Sequence, residues 1–125
     1  MLSTSISDTD ADYDIYDNYI NDNRGAADLT LQGFGGKFHY NTLVNNRTTT
    51  SIYCNGIDIQ ITNNIGRNNV GSEHFINLDN TTRASVAENR TTSPGPTASQ
   101  LVRNTGLEND VRTNFLDGFK IPQLP

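Results

Sequence analysis

Apolar and polar positions alternate along several short stretches of this chain. Ile57, Ile59 and Ile61 alternate with Asp58, Gln60 and Thr62, and Ile52 and Cys54 alternate with Ser51 and Tyr53. That two-residue period belongs to strands with one buried face. Asn55-Gly56 separates the two runs and suits the positive φ values of a two-residue type I′ turn. The stretch 50–62 is therefore expected to be an antiparallel hairpin. An isolated hairpin is marginal in water, so further strands must pair with it.

Such strands are available on both sides. Asp28-Leu-Thr-Leu-Gln-Gly-Phe34 places Leu29 and Leu31 on one face, and Lys37 to Val44 follows after the turn Gly33-Phe-Gly-Gly36. A turn-rich loop over 63–72 leads to His74-Phe-Ile-Asn-Leu78, with a further strand expected over Arg83 to Ala87. Short strands at close spacing with turn residues between them predict a mainly β fold, a small antiparallel sandwich or barrel. Residues 89–99 read as a linker. Thr105-Gly-Leu-Glu108 then fits a capping box, and Leu107, Val111 and Phe115 fall on one helical face. One short C-terminal helix is expected there, ended by Gly118. The phrase Asn-Arg-Thr-Thr recurs at 46–49 and 89–92, but its flanks differ, so no internal repeat is read from it.

The ends of the chain differ from its centre. Residues 1–27 carry Asp8, Asp10, Asp12, Asp14, Asp17 and Asp22 before the first basic residue, interleaved with Tyr13, Ile15, Tyr16, Tyr19 and Ile20. This reads as an acidic N-terminal arm. Phe119, Ile121 and Leu124 form an extended C-terminal tail, because proline disfavours helix at the preceding residue. The expected organisation is thus an arm over 1–27, a β core over 28–88, and a linker, helix and tail over 89–125.

Composition narrows the function. Only 34% of the 125 residues are hydrophobic and there is no Trp, so the core is small. Asn and Thr make up about a quarter of the chain, which favours turns and strands over helices. The net charge is −5, and the seven arginines are scattered rather than striped, which argues against direct nucleic-acid binding. One cysteine excludes an intrachain disulfide, and Cys54 reads as a small packing residue. The N-terminus has neither a basic segment nor an apolar run of signal-peptide kind, and no stretch is apolar enough to span a membrane.

Chemical motifs are sparse. The aspartate series fails the calcium-loop pattern, because Tyr13 and Tyr19, or Ile15 and Asn21, stand where Gly and Glu are needed. His39 and His74 have no ligand spacing, and phosphate-loop and nucleophile-elbow patterns are absent. No cofactor, metal or catalytic residue is expected. The residues expected to bind a partner are Tyr13, Tyr16, Tyr19, Ile20, Phe119, Ile121 and Leu124, apolar groups that a small β core cannot shelter. The function expected is therefore a non-enzymatic structural subunit of a large assembly. By analogy of composition, it would be a virion decoration, cement or minor head or tail protein of a phage, made in the host cytoplasm. Its partners would be other structural proteins of the assembly, or copies of itself. The alternative is a carbohydrate- or ligand-binding β module using Tyr40, Tyr53, Phe75 and the Asn-rich loops.

Overall fold

The computed structural model describes residues 4–6, 12–69, 73–92, 101–116 and 119–121. The chain winds in coils, each laying down three short strands. The first coil holds β1 (Thr4–Ile6), β2 (Asp14–Tyr16) and β3 (Tyr19–Asn21). The second holds β4 (Arg24–Phe34), β5 (Lys37–His39) and β6 (Thr42–Val44); the third, β7 (Arg47–Ile57), β8 (Gln60–Thr62) and β9 (Ile65–Arg67). The fourth holds β10 (His74–Leu78), β11 (Ser85–Ala87) and β12 (Arg90–Thr91); the fifth, β13 (Val102–Asn104), β14 (Asp110–Arg112) and β15 (Asn114–Leu116), followed by β16 (Phe119–Ile121). Strands stack coil upon coil into three sheets, ordered β1-β4-β7-β10-β13, β14-β11-β8-β5-β2 and β16-β15-β12-β9-β6-β3. We call these walls A, B and C. The result is a β-solenoid whose five coils, the first and last at its ends, make about four turns.

Every strand pair within the walls is parallel except β15 with β16, which is antiparallel. Parallel stacking in register places like beside like. On wall B, Ile15, Phe38, Ile61, Val86 and Val111 form one inward column. On wall A, Leu29, Ile52 and Ile76 form a second, with Leu31, Cys54 and Leu78 beside it. On wall C the column runs Ile20, Leu43, Gly66 and Thr91, and Phe75 from wall A fills the room that Gly66 leaves.

The corners carry the most specific chemistry. Asp17, Tyr40, Asn63, Glu88 and Thr113 all take positive φ at the corner from wall B to wall C. The next residue is Asn each time: Asn18, Asn41, Asn64, Asn89 and Asn114. Each of the last four points inward and accepts, at Oδ1, the backbone N–H of its counterpart in the preceding coil, at 3.0 to 3.1 Å. Its Nδ2 donates to a strand carbonyl of that coil: Asn41 to Ile15, Asn64 to Phe38, Asn89 to Ile61 and Asn114 to Val86. A second column, Asn23, Asn46 and Asn69, does the same at the corner from wall C to wall A. A turning backbone cannot keep up the strand ladder, and buried peptide groups left unpaired are costly. The amide side chain, with one acceptor and one donor end, supplies what the turn omits.

This architecture overturns the expected antiparallel sandwich or barrel with arms and a helix. The expected hairpin is not formed: β7 runs straight through Asn55-Gly56, and neither residue takes positive φ. Alternation of period two is common to parallel and antiparallel strands, so it could not separate them. The expected C-terminal helix is absent, and the stretch holds β14 and β15 around a corner at Thr113. The spacing of four that suggests a helical stripe unites no face here: Val111 is buried, whereas Leu107 is 71% exposed and the Phe115 ring lies against the exposed Arg90. Residues 12–27 are no free arm, because β2 and β3 belong to the first coil. The expected linker contains Asn89 of the corner column and β12, while its part over 93–99 lies outside the described residues.

Replacing Asn64 by Ala should remove the acceptor for the Asn41 amide and the donor to the Phe38 carbonyl. The expected loss is about 2–4 kcal/mol of unfolding free energy in a urea titration. Asn55→Ala, on an exposed outward position of the same coil, should change stability by less than about 0.5 kcal/mol. Equal effects at the two sites would contradict the role given to the corner amides.

Candidate functional site

With the inside of the coil filled, function must sit on the outer faces and corners. The outward positions of β2 and β5 put Asp14 beside Lys37 and Tyr16 beside His39. The next residue, Tyr40, stands at the corner with φ of 55°. His39 lies between two aromatic rings, its centroid 5.4 Å from Tyr16 and 5.3 Å from Tyr40. Its Nε2 is 2.6 Å from the Asp14 carboxylate, which fixes the ring's orientation. Around the same corner, Tyr19 starts β3. Tyr16, Tyr40 and Tyr19 are 54%, 59% and 64% exposed, so all three rings offer more than half their surface to solvent.

Large rings in such a cluster are unusual on a free surface, where tyrosine is enriched chiefly at contact sites. Each ring offers an apolar body and a hydroxyl at low conformational cost. The local fold is rigid: Asn41 beneath the corner is fully buried and bonded on both sides, to Asn18 above and Asn64 below. The aromatic groups thus project from a fixed backbone.

The other expected contact residues fall differently. Tyr13 turns inward: its ring packs over Gly36, where any side chain would collide with it, and its hydroxyl is buried without a hydrogen-bond partner among the described residues. Ile20 is half-buried against the core. The backbones of Phe119 and Ile121 pair with β15 in β16, and Leu124 lies outside the described residues. Of the residues considered for ligand binding, Phe75 is fully buried core, and Tyr53 lies on the outer face of wall A.

The Tyr53 hydroxyl donates to Asp79 Oδ2 at 2.5 Å, a bond that raises the phenol's pKa. Asp79 ends the ladder regularly, its amide donating to the Cys54 carbonyl at 2.9 Å beside the Leu78 and Cys54 pair, and Asn80 takes positive φ. Arg83 grips Asp58 with two hydrogen bonds, 2.7 and 2.9 Å, across neighbouring coils at the corner from wall A to wall B. Both partners are exposed, so this pair adds little stability. Among the described residues no group of three or more His, Cys, Asp or Glu side chains is placed to hold a metal ion.

Tyr16 and Tyr19 are expected contact residues from the sequence, but their place beside His39 and Tyr40 is not evident from linear order. The signal was the 23-residue spacing that puts residue 16 beside 39 and 18 beside 41. No protein-family model, curated protein or solved structure matches the chain. The analogy with virion components rested on composition, and neither the coiled architecture nor any relative supports it.

Cys54 is fully buried, and burial pushes its thiol up from 9 to about 11, against smaller opposing effects from Thr81 and the Gly56 backbone. Burial, with the nearby Cys54 contributing less, also raises the Tyr13 hydroxyl well above the ordinary phenol range. Both groups hold their protons more tightly folded than unfolded. The Tyr13 contribution is complete below pH 10 and is lost only above it, whereas that of Cys54 is complete below pH 9 and is lost as pH rises through 9 to 11. The melting temperature should fall across that window, and Cys54→Ala should flatten part of the fall. In native protein at pH 8 a thiol reagent should label Cys54 far more slowly than after denaturation. Labelling at equal rates would contradict the buried, protonated thiol.

Proposed function

We propose that this chain is a non-enzymatic structural and attachment module, a rigid solenoid segment of a larger protein assembly. It engages a neighbouring protein surface through the corner formed by Tyr16, Tyr19 and Tyr40, with His39 and Asp14 between and beside them. The observation that carries this reading is the gathering of three tyrosines, each more than half exposed, on one corner of the first two coils. Energetically dominant contact residues at protein interfaces are drawn from Tyr, Trp and Arg, set in rigid surroundings that hold down the ordering cost. A solenoid meets that requirement, because the strands carrying these residues are paired in register with the next coil.

The carbohydrate-binding alternative draws on the same residues. Exposed ring faces beside a carboxylate and an imidazole offer stacking and hydrogen bonds to a sugar. Two measurements separate the readings. A photo-crosslinking residue in place of Tyr16 or Tyr40, used in the cells that make the protein, should capture a defined protein neighbour. Affinity electrophoresis in gels of neutral polysaccharide would show retardation only if sugar is the ligand of the tyrosine corner. The triple substitution of Tyr16, Tyr19 and Tyr40 by Ser should leave the β-type circular dichroism spectrum intact and abolish co-purification of the crosslinked neighbour. Undiminished co-purification by the folded triple variant would refute the proposal.

A further inference from the structure

A second feature lies at the other edge of wall C, one three-residue strand away from the tyrosines. Arg24 begins β4 and Arg47 begins β7, and the two are in register. Neighbouring strands are about 4.8 Å apart, so two like charges stand on adjacent rungs of one column. Side by side, such charges destabilise a sheet. Both residues are exposed, and among the described residues neither makes an ion pair with an acid. They line an open groove of about 320 Å³ together with Asp22, Asn45 and Asn68.

The polar lining is already organised. Asn45 and Asn68 hold successive positive-φ corner positions, and Asn68 Nδ2 donates to Asn45 Oδ1 at 2.7 Å. The Asp22 carboxylate accepts from Asn21 Nδ2 at 2.7 Å. Two arginines against one aspartate leave the groove net positive in a chain whose overall charge is −5. Beneath the lining, Asn23, Asn46 and Asn69 tie the coils together.

We propose that Arg24 and Arg47 form an oxyanion-binding site. A carboxylate, sulfate or phosphate group would bridge the two guanidinium groups, accept charge-assisted hydrogen bonds from both and relieve their mutual repulsion. The Asn45 and Asn68 side chains favour an anion carried on a hydroxylated ligand, and so an acidic saccharide rather than a free inorganic ion. The chain's overall acidity disfavours a long polyanion, whose further charges would meet no cations in this groove. The pairing is invisible in linear sequence, where the two arginines are 23 positions apart and have no basic neighbours.

Isothermal titration with digalacturonate, inorganic sulfate, inorganic phosphate and neutral lactose tests the site. Digalacturonate should bind with a Kd of about 1 mM or tighter, weakening as salt is raised. Arg24→Gln and Arg47→Gln should each reduce that affinity about tenfold or more. Tighter binding of sulfate or phosphate than of digalacturonate would keep the oxyanion site and overturn its assignment to a saccharide. Binding of lactose alone, binding unchanged in both variants, or no saturable binding of any anion would overturn the site itself. Because each substitution removes a like-charge contact, the ligand-free variants should melt no lower than the parent. Added digalacturonate should raise the melting temperature of the parent and not of the variants, which separates loss of binding from loss of folding.

Discussion

The structure depends on the pairing of backbone groups at its corners. A coil must turn three times; the positive-φ residue at a corner keeps its ladder bond, as Tyr40 does to the Thr62 carbonyl, but at the two Asn corners the amide that follows loses its backbone partner while remaining inside the protein. In the columns Asn41–Asn64–Asn89–Asn114 and Asn46–Asn69, the side-chain oxygen takes the amide of the coil before, and the side-chain nitrogen returns a bond to one of its carbonyls. The register of each coil follows from that reciprocity. A slip of one residue would place an Asn opposite a strand position and bury its amide group unpaired. This accounts for a chain so rich in asparagine and so poor in apolar residues that nevertheless has a filled interior.

Inward and outward residues answer to different constraints. The inward columns hold Ile15, Phe38, Ile61, Val86 and Val111, which need only be apolar and of compatible size. Gly66 is the exception, since the Phe75 ring uses its space. The outward residues are released from packing, and those of the first coils gather tyrosines at one corner and arginines at another. Binding chemistry on such a scaffold needs no cleft. Residues far apart in the chain become neighbours about one rung apart simply because the period repeats.

Much of this was legible, although the fold class was misread. β10 covers His74 to Leu78, where a strand is expected, and Cys54 is buried in the core as a packing residue. The pattern apolar-x-x-Asn recurs at Ile15 to Asn18, Ile20 to Asn23, Phe38 to Asn41, Leu43 to Asn46, Ile61 to Asn64, Val86 to Asn89 and Val111 to Asn114. That is a repeat in the sequence, obscured because only two positions in five are fixed and the spacing lengthens from 23 to 25. The Asn-Arg-Thr-Thr phrase is part of it in one sense: Asn46 and Asn89 are both column residues, but of different corners. What sequence could not show was the parallel sense of pairing. Alternation describes a strand's faces and says nothing of its partner, and positive φ at residues such as Tyr40, Arg83 and Glu88 is imposed by the coil rather than by local preference.

Residue-resolved hydrogen exchange by NMR reads the pairing of the corner amides. The backbone amides of Asn41, Asn64 and Asn89 sit at turns, where amides normally exchange fast, yet each is bonded to a buried Asn oxygen of the next coil. The account predicts protection of these three amides equal to that of Phe38, Ile61 and Val86 in the adjoining strands, all opening together in the cooperative unfolding of the stack. Exchange of the three asparagine amides at the rate of exposed turns, with the strands still protected, would contradict it.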